Sequence, residues 1–126
     1  MERTSDGRLL VVADTNVLIS FLLAGRFDLL RQHKNYRLVV TEHARREVTY
    51  PAQATELESA ISVGDVDEID LTDPAEISLF AELNTVLGRG ESAAIAVAAN
   101  RNWVIATDEL GRARREVYER IGRAGS

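Results

Sequence analysis

Residues 9–19 of the chain, with the sequence LLVVADTNVLI, decide the fold. Five apolar residues run directly into Asp14, and a second apolar segment follows after Thr15 and Asn16. A continuous apolar run of this length is typical of a strand that is buried on both faces in the middle of a parallel sheet. Asp14 then lies at the carboxyl end of the strand, where open α/β sheets bind ligands. Asp14 also fits a simpler role as the cap of the following helix, and the local pattern leaves both interpretations open.

The size and composition of the chain predict one globular domain over residues 1–126, frayed at residues 1–8 and 122–126. The chain has 126 residues, of which 45% are hydrophobic and 28% are charged. It has no cysteine, which excludes disulfides and thiolate chemistry and favours a cytoplasmic protein. No apolar run approaches the roughly 20 residues that span a bilayer, so we expect no membrane association.

The net charge of −5 argues against a surface that binds nucleic acid by bulk charge alone. It leaves open a local basic rim around an acidic pocket that holds a metal ion.

Strand patterns alternate with helix patterns along the whole sequence. Strands are predicted at residues 9–13, 38–40, 66–71 and 103–106, the third at a sheet edge. Helices are predicted at residues 16–23, 27–33, 42–50, 52–61, 75–87, 91–100 and 110–121. This alternation predicts an α/β fold with three layers, in which helices flank a central parallel sheet of about four strands. The buried face of the helix at residues 75–87 is expected to carry Ile77, Phe80, Leu83 and Leu87.

Acidic residues recur where strands end. Asp14 and Asp108 follow the first and last strands, Glu47 lies in the helix after the second strand, and Glu91 opens a helix after a glycine-containing turn. If the strands are parallel, their carboxyl ends meet at one edge of the sheet and the four carboxylates converge there. Such a cluster needs a cation to offset its repulsion. All-oxygen ligands suit Mg²⁺ or Mn²⁺, and these ions support phosphodiester hydrolysis.

Each acid also has an ordinary structural interpretation when it is taken alone. Glu47 fits a solvated position on a charged helix. Glu91 fits the positive end of its helix, and Asp108 fits a helix cap. The joint placement of the acids favours the site over these separate explanations.

Four motifs in order make the chain resemble a PIN domain, the fold of many metal-dependent ribonucleases. They are residues 11–19 (VVADTNVLI), Thr41 followed by residues 47–48, residues 90–96 (GESAAIA) and residues 105–109 (IATDE). The opening motif is weak alone, whereas the four together cover nearly the whole chain.

The resemblance implies a Mg²⁺- or Mn²⁺-dependent endoribonuclease, with RNA as substrate. It also implies a toxin role restrained by an antitoxin protein, and a homodimer. The metal ligands and catalytic residues that it implies are Asp14, Glu47, Glu91 and Asp108. The polar positions that support them are Thr15, Asn16 and Thr107. PIN domains usually carry one more strand after the last helix, and without it we expect an exposed sheet edge.

Other polar residues near the predicted site are less specific. His33 and His43 favour structural or solvated roles. Four arginines are expected near the acidic edge, either as contacts to RNA phosphates or as a solvated face: Arg45, Arg46, Arg89 and Arg112.

Two alternatives accompany the endoribonuclease hypothesis. The first is a catalytically weak PIN-like module that binds RNA or a protein. The second is a metal-dependent phosphatase, which no phosphate-binding loop supports.

Overall fold

The computed structural model describes residues 2–107, which contain a four-stranded sheet. The strands are β1 (Leu9–Ala13), β2 (Tyr36–Thr41), β3 (Asp67–Ile69) and β4 (Val104–Ala106). Every neighbouring pair is parallel, and the order across the sheet is β3-β2-β1-β4. The predicted parallel sheet is therefore confirmed, with β1 in its interior and β3 at an edge.

Helices cover both faces of this sheet and confirm the three-layer α/β/α arrangement. They are α1 (Thr15–Leu23), α2 (Asp28–Arg31), α3 (Glu42–Glu47), α4 (Pro51–Ser62), α5 (Pro74–Leu83) and α6 (Arg89–Arg101). The helix predicted at residues 110–121 lies outside the described residues. No helix between residues 2 and 107 is long and apolar enough to cross a membrane.

Neighbouring residues of β1 pack into different layers because side chains alternate along a strand. Ala13 belongs to a core that includes Leu18 of α1 and Leu57 of α4. Val12 packs instead against Ala94 and Ala98 of α6. The strand is thus enclosed at its carboxyl end, where Val12 and Ala13 have no exposed surface.

Helix α6 is buried around its whole circumference. Every residue from 90 to 98 is buried, which amounts to more than two full turns. Helices α3 and α5 and the strands β1, β2 and β4 all contact it. Alanine side chains are short enough to allow this close approach on several sides.

The inward face of α5 differs from the predicted one. Leu83 is buried and Leu87 follows it into the same cluster, as expected, but Ile77 is 51% exposed. Glu76, one position earlier, is fully buried instead. The helix also ends at Leu83 rather than at residue 87. A charged side chain thus takes the inward position predicted for Ile77.

Glu76 is stable in this position because polar groups surround its carboxylate. Arg101 donates to it from Nε at 2.7 Å, and Asn100 donates from Nδ2 at 3.0 Å. The backbone amides of Thr72 and Asp73 donate at 3.2 and 3.4 Å, the latter as part of a capping box. Burial by itself raises the pKa of Glu76, but these hydrogen bonds outweigh it and lower the pKa to about 2.

Glu76→Gln tests this network. Removal of one partner of a buried ion pair should reduce the free energy of unfolding at pH 7 by about 3–5 kcal/mol, measured by urea denaturation. Glu58→Gln, at an exposed position on α4, is the matched control and should change it by less than about 0.5 kcal/mol.

The stability that the Glu76–Arg101 ion pair provides depends on pH in a predictable direction. The pKa of Glu76 is lower in the folded state than its usual 4.5. The ionised Glu76 carboxylate therefore stabilises the folded protein fully above pH 4.5, and this stabilisation is lost as the pH falls toward about 2. The melting temperature of Glu76→Gln should therefore fall less than that of the unmodified protein across this interval. Equal falls would show that Glu76 does not contribute in this way.

Candidate functional site

The carboxyl edge of the sheet brings Asp14 and Thr107 side by side. Ala13, the last residue of β1, pairs with Ala106, the last residue of β4. The next residue on each strand therefore lies at the same edge. The backbone amide of Asp14 donates to the carbonyl of Ala106 at 3.1 Å, and Thr107 Oγ1 donates to Asp14 Oδ2 at 2.5 Å.

Asp14 also caps α1, so the simpler interpretation of this residue is correct in part. Its Oδ1 accepts a hydrogen bond from the backbone amide of Val17 at 2.9 Å. Hydrogen bonds to both oxygens fix the orientation of a carboxylate that has no exposed surface. An ionised carboxylate oxygen has two lone pairs, so capping does not prevent Asp14 from contacting a cation as well.

Glu47, the last residue of α3, joins three helices through one oxygen atom. Its Oε1 accepts hydrogen bonds from Thr15 Oγ1 and from the backbone amide of Gly90, both at 2.7 Å. Thr15 begins α1 and Gly90 lies in the first turn of α6. These two hydrogen bonds, which we call the Glu47 latch, fix the relative positions of the helices around the site.

The latch requires glycine at position 90. A Cβ atom at this position would overlap both Thr15 Oγ1 and Glu47 Oε1. Gly88, two residues earlier, has nothing within 4 Å of the corresponding position. Glycine is therefore needed at position 90, because the backbone of α6 approaches Thr15 and Glu47 closely there. Position 88 has no such requirement.

A pocket of about 350 Å³ opens beside the latch. Three carboxylates, two further polar residues and a short apolar wall line it. These residues are Asp14, Thr15, Asn16, Ile19, Glu47, Val86, Leu87, Gly88 and Glu91. Asp14 and Glu91 are buried, whereas Glu47 is exposed. The three acidic side chains thus line one open space, Asp14 from the cap of α1, Glu47 from the end of α3 and Glu91 from the start of α6.

Three of the four predicted site residues, Asp14, Glu47 and Glu91, therefore line one pocket. Asp108 lies outside the described residues, next to Thr107 in the chain. Within residues 2–107, no three acidic or histidine side chains are grouped closely enough to hold one metal ion. The donor set suits a hard cation, because all the side-chain donors are oxygen atoms.

The two histidines make structural contacts. The ring of His43 stacks on Phe80 with centroids 4.6 Å apart. The ring of His33 lies 4.6 Å from Tyr36, and its Nδ1 accepts a hydrogen bond from the backbone amide of Asn35. These contacts agree with the structural roles that the sequence favoured.

The predicted arginines differ in their partners. Arg45 donates to Glu68 at 2.9 Å, and this hydrogen bond raises the pKa of Arg45. Arg46 pairs with Glu42 one turn earlier on the same helix. Arg89 is exposed and forms no ion pair with any of residues 2–107. Arg112 lies outside the described residues.

Gly90 is the residue of this site whose role the sequence did not reveal. The sequence predicts that it lies in the turn before the helix, whereas α6 already includes it. One local signal was present, because glycine is a poor residue within a helix and its use there needs a reason. Its two neighbours in space, Thr15 and Glu47, are 75 and 43 positions away (90 − 15 and 90 − 47) and could not be identified locally.

Comparison with known proteins supplies the family. A family model described as a PIN domain matches residues 10–122 of the chain. A search of proteins with curated descriptions found no match to this chain. The matched range includes β1 except for Leu9, the whole of β2, β3 and β4, and all residues that line the pocket.

Gly90→Ala should disrupt the Glu47 latch. Alanine normally stabilises a helix relative to glycine, but the overlap here should reduce the free energy of unfolding by about 1–3 kcal/mol. Gly88→Ala is the matched control, because its added methyl group meets nothing. Urea denaturation of both variants measures the difference, and equal stabilities would contradict the close approach described here.

Proposed function

The chain belongs to the PIN-domain family, whose members are generally nucleases, and we propose that it is a metal-dependent endoribonuclease that hydrolyses RNA phosphodiester bonds. The observation that carries the proposal is the pocket at the carboxyl edge of the sheet, where Asp14, Glu47 and Glu91 face one another. The fold places this pocket where open α/β sheets bind ligands.

Mg²⁺ or Mn²⁺ is the cofactor in this proposal, held by Asp14, Glu47, Glu91 and Asp108. Residues 2–107 contain no complete three-ligand group, so the proposal requires Asp108 as well. Such an ion supplies a nucleophilic water at neutral pH and offsets charge on the phosphate. The buried positions of Asp14 and Glu91 support a bound cation, because desolvated carboxylates repel one another without one.

The residues around the acids have positioning roles. Thr107 and the amide of Val17 hold the Asp14 carboxylate in one orientation. Thr15 and Gly90 do the same for Glu47 through Oε1. A carboxylate that is already oriented loses little entropy when it binds a cation, so these contacts favour a prearranged site.

The biological setting is proposed from the family alone. We propose that the protein acts in the cytoplasm as the toxin of a toxin–antitoxin pair and forms a homodimer. An antitoxin would act by covering the acidic pocket.

A second candidate function is a PIN-like module that binds RNA or a protein without useful turnover. It uses the same pocket of Asp14, Glu47 and Glu91 as the first candidate and differs from it in turnover. This candidate predicts RNA or protein binding that is independent of divalent metal.

Asp14→Asn is the variant that tests catalysis. Asparagine caps helices well, so the fold should persist while one ligand charge is lost. Cleavage of a labelled single-stranded RNA with Mg²⁺ or Mn²⁺ should fall by more than about 100-fold, because changes to residues that only support metal ligands already reduce activity 10- to 100-fold. Mn²⁺ binding, followed by calorimetry, should weaken in parallel.

Asp28→Asn serves as the control, since Asp28 is an exposed acid on α2 with a surface ion pair. It should cleave RNA at the unmodified rate. Unchanged cleavage by Asp14→Asn would contradict the nuclease proposal. RNA binding without metal binding or cleavage by the unmodified protein would favour the binding module.

A further inference from the structure

Phosphates of an RNA strand are repelled by the carboxylates of the pocket, so cations near its rim are needed to hold the strand. The net charge of −5 makes this need greater, because the overall field also repels RNA. The question is which arginine near the pocket is available to bind phosphate.

Two of the arginines are already engaged by carboxylates. Arg45 is paired with Glu68 of β3, and Arg46 is paired with Glu42 of its own helix. A phosphate would have to compete with these partners. Neither side chain is therefore a strong contact for RNA.

Arg89 is in a different position. It is the first residue of α6, directly after Gly88, which lines the pocket, and two residues before Glu91, which also lines it. Arg89 is exposed, and no acidic side chain within residues 2–107 pairs with it. Its neighbours on both sides are glycines, so no adjacent side chain blocks access to the guanidinium.

Part of the backbone at this end of α6 is already engaged in hydrogen bonds within the protein. The amide of Gly90 donates to Glu47, and the amide of Ser92 donates to the carbonyl of Gly88. Among residues 2–107, the Arg89 side chain is a cationic group beside the pocket that no carboxylate engages.

We propose that Arg89 binds a backbone phosphate of single-stranded RNA beside the nucleotide whose phosphodiester bond enters the acidic pocket. The inference rests on the proposed nuclease function. A guanidinium can contact two oxygens of one phosphate at once, which a lysine ammonium cannot do with the same geometry. Arg89 would position the substrate without being a metal ligand.

The experiment measures binding separately from cleavage. Fluorescence anisotropy of a labelled single-stranded RNA is recorded with the full chain in EDTA, over a series of salt concentrations. Arg89→Gln should weaken binding about tenfold, as expected for loss of a charged hydrogen bond. The dependence of log Kd on log salt should also become shallower by about 0.7, the value for one fewer phosphate contact on a single strand.

Lys34→Gln provides the matched control. Like Arg89, Lys34 is an exposed cation that has no ion pair among residues 2–107. Unlike Arg89, it precedes β2 and therefore lies toward the amino ends of the strands, opposite the pocket. Its loss should leave affinity and salt dependence unchanged. Arg89→Lys should restore the salt dependence but only part of the affinity, because the charge remains and the paired contact does not.

The outcomes separate this inference from the proposed function. If the unmodified protein cleaves RNA and Arg89→Gln binds RNA with unmodified affinity and salt dependence, the role of Arg89 is overturned and the nuclease function stands. If Lys34→Gln weakens binding as much as Arg89→Gln does, the effect is one of general charge and the assignment is likewise overturned. If the unmodified protein neither binds nor cleaves RNA, both proposals fail.

Discussion

Two hydrogen bonds to a single oxygen, Glu47 Oε1, hold the helices of the site together. They connect Thr15 of α1 and Gly90 of α6 to the end of α3, and the contact with α6 exists because position 90 has no side chain. A second carboxylate, Glu76, binds Arg101 at the other end of α6. This helix, which is buried from residue 90 to residue 98, is thus fixed at both ends by acidic residues, and it carries Glu91 into the pocket beside Glu47.

Asp14 shows how one residue serves the fold and the site together. Its Oδ1 stabilises the start of α1, while Thr107 holds Oδ2. Both contacts follow from its place at the end of a central parallel strand, where β4 lies alongside and α1 begins. The contacts that stabilise the fold also orient the carboxylate, so stability and prearrangement of the site have the same origin here.

Much of the fold could be predicted from local sequence patterns. The apolar run before Asp14 identified the interior strand, and the alternation of strand and helix patterns identified the parallel sheet. Threonine is a good helix cap, and Thr41, directly before α3, accepts a hydrogen bond at Oγ1 from the amide of Ala44. The sequence predicts all four candidate acids at one edge, because parallel strands end on the same side of a sheet, and three of them line one pocket. The position of Asp108 stays a prediction.

The sequence by itself determined the order and type of the elements and the acidic character of the sheet edge, because strand periodicity, helix caps and the ends of parallel strands depend on neighbouring residues. Tertiary structure alone decided that Gly90 must be glycine, and that Glu76 rather than Ile77 turns inward. It also decided that Arg89, unlike Arg45 and Arg46, has no ion pair among residues 2–107. These features depend on partners far along the chain: Glu47 is 43 residues from Gly90, and Arg101 is 25 residues from Glu76. No local pattern specifies such contacts, since they form only when the packed helices bring distant side chains within hydrogen-bonding distance.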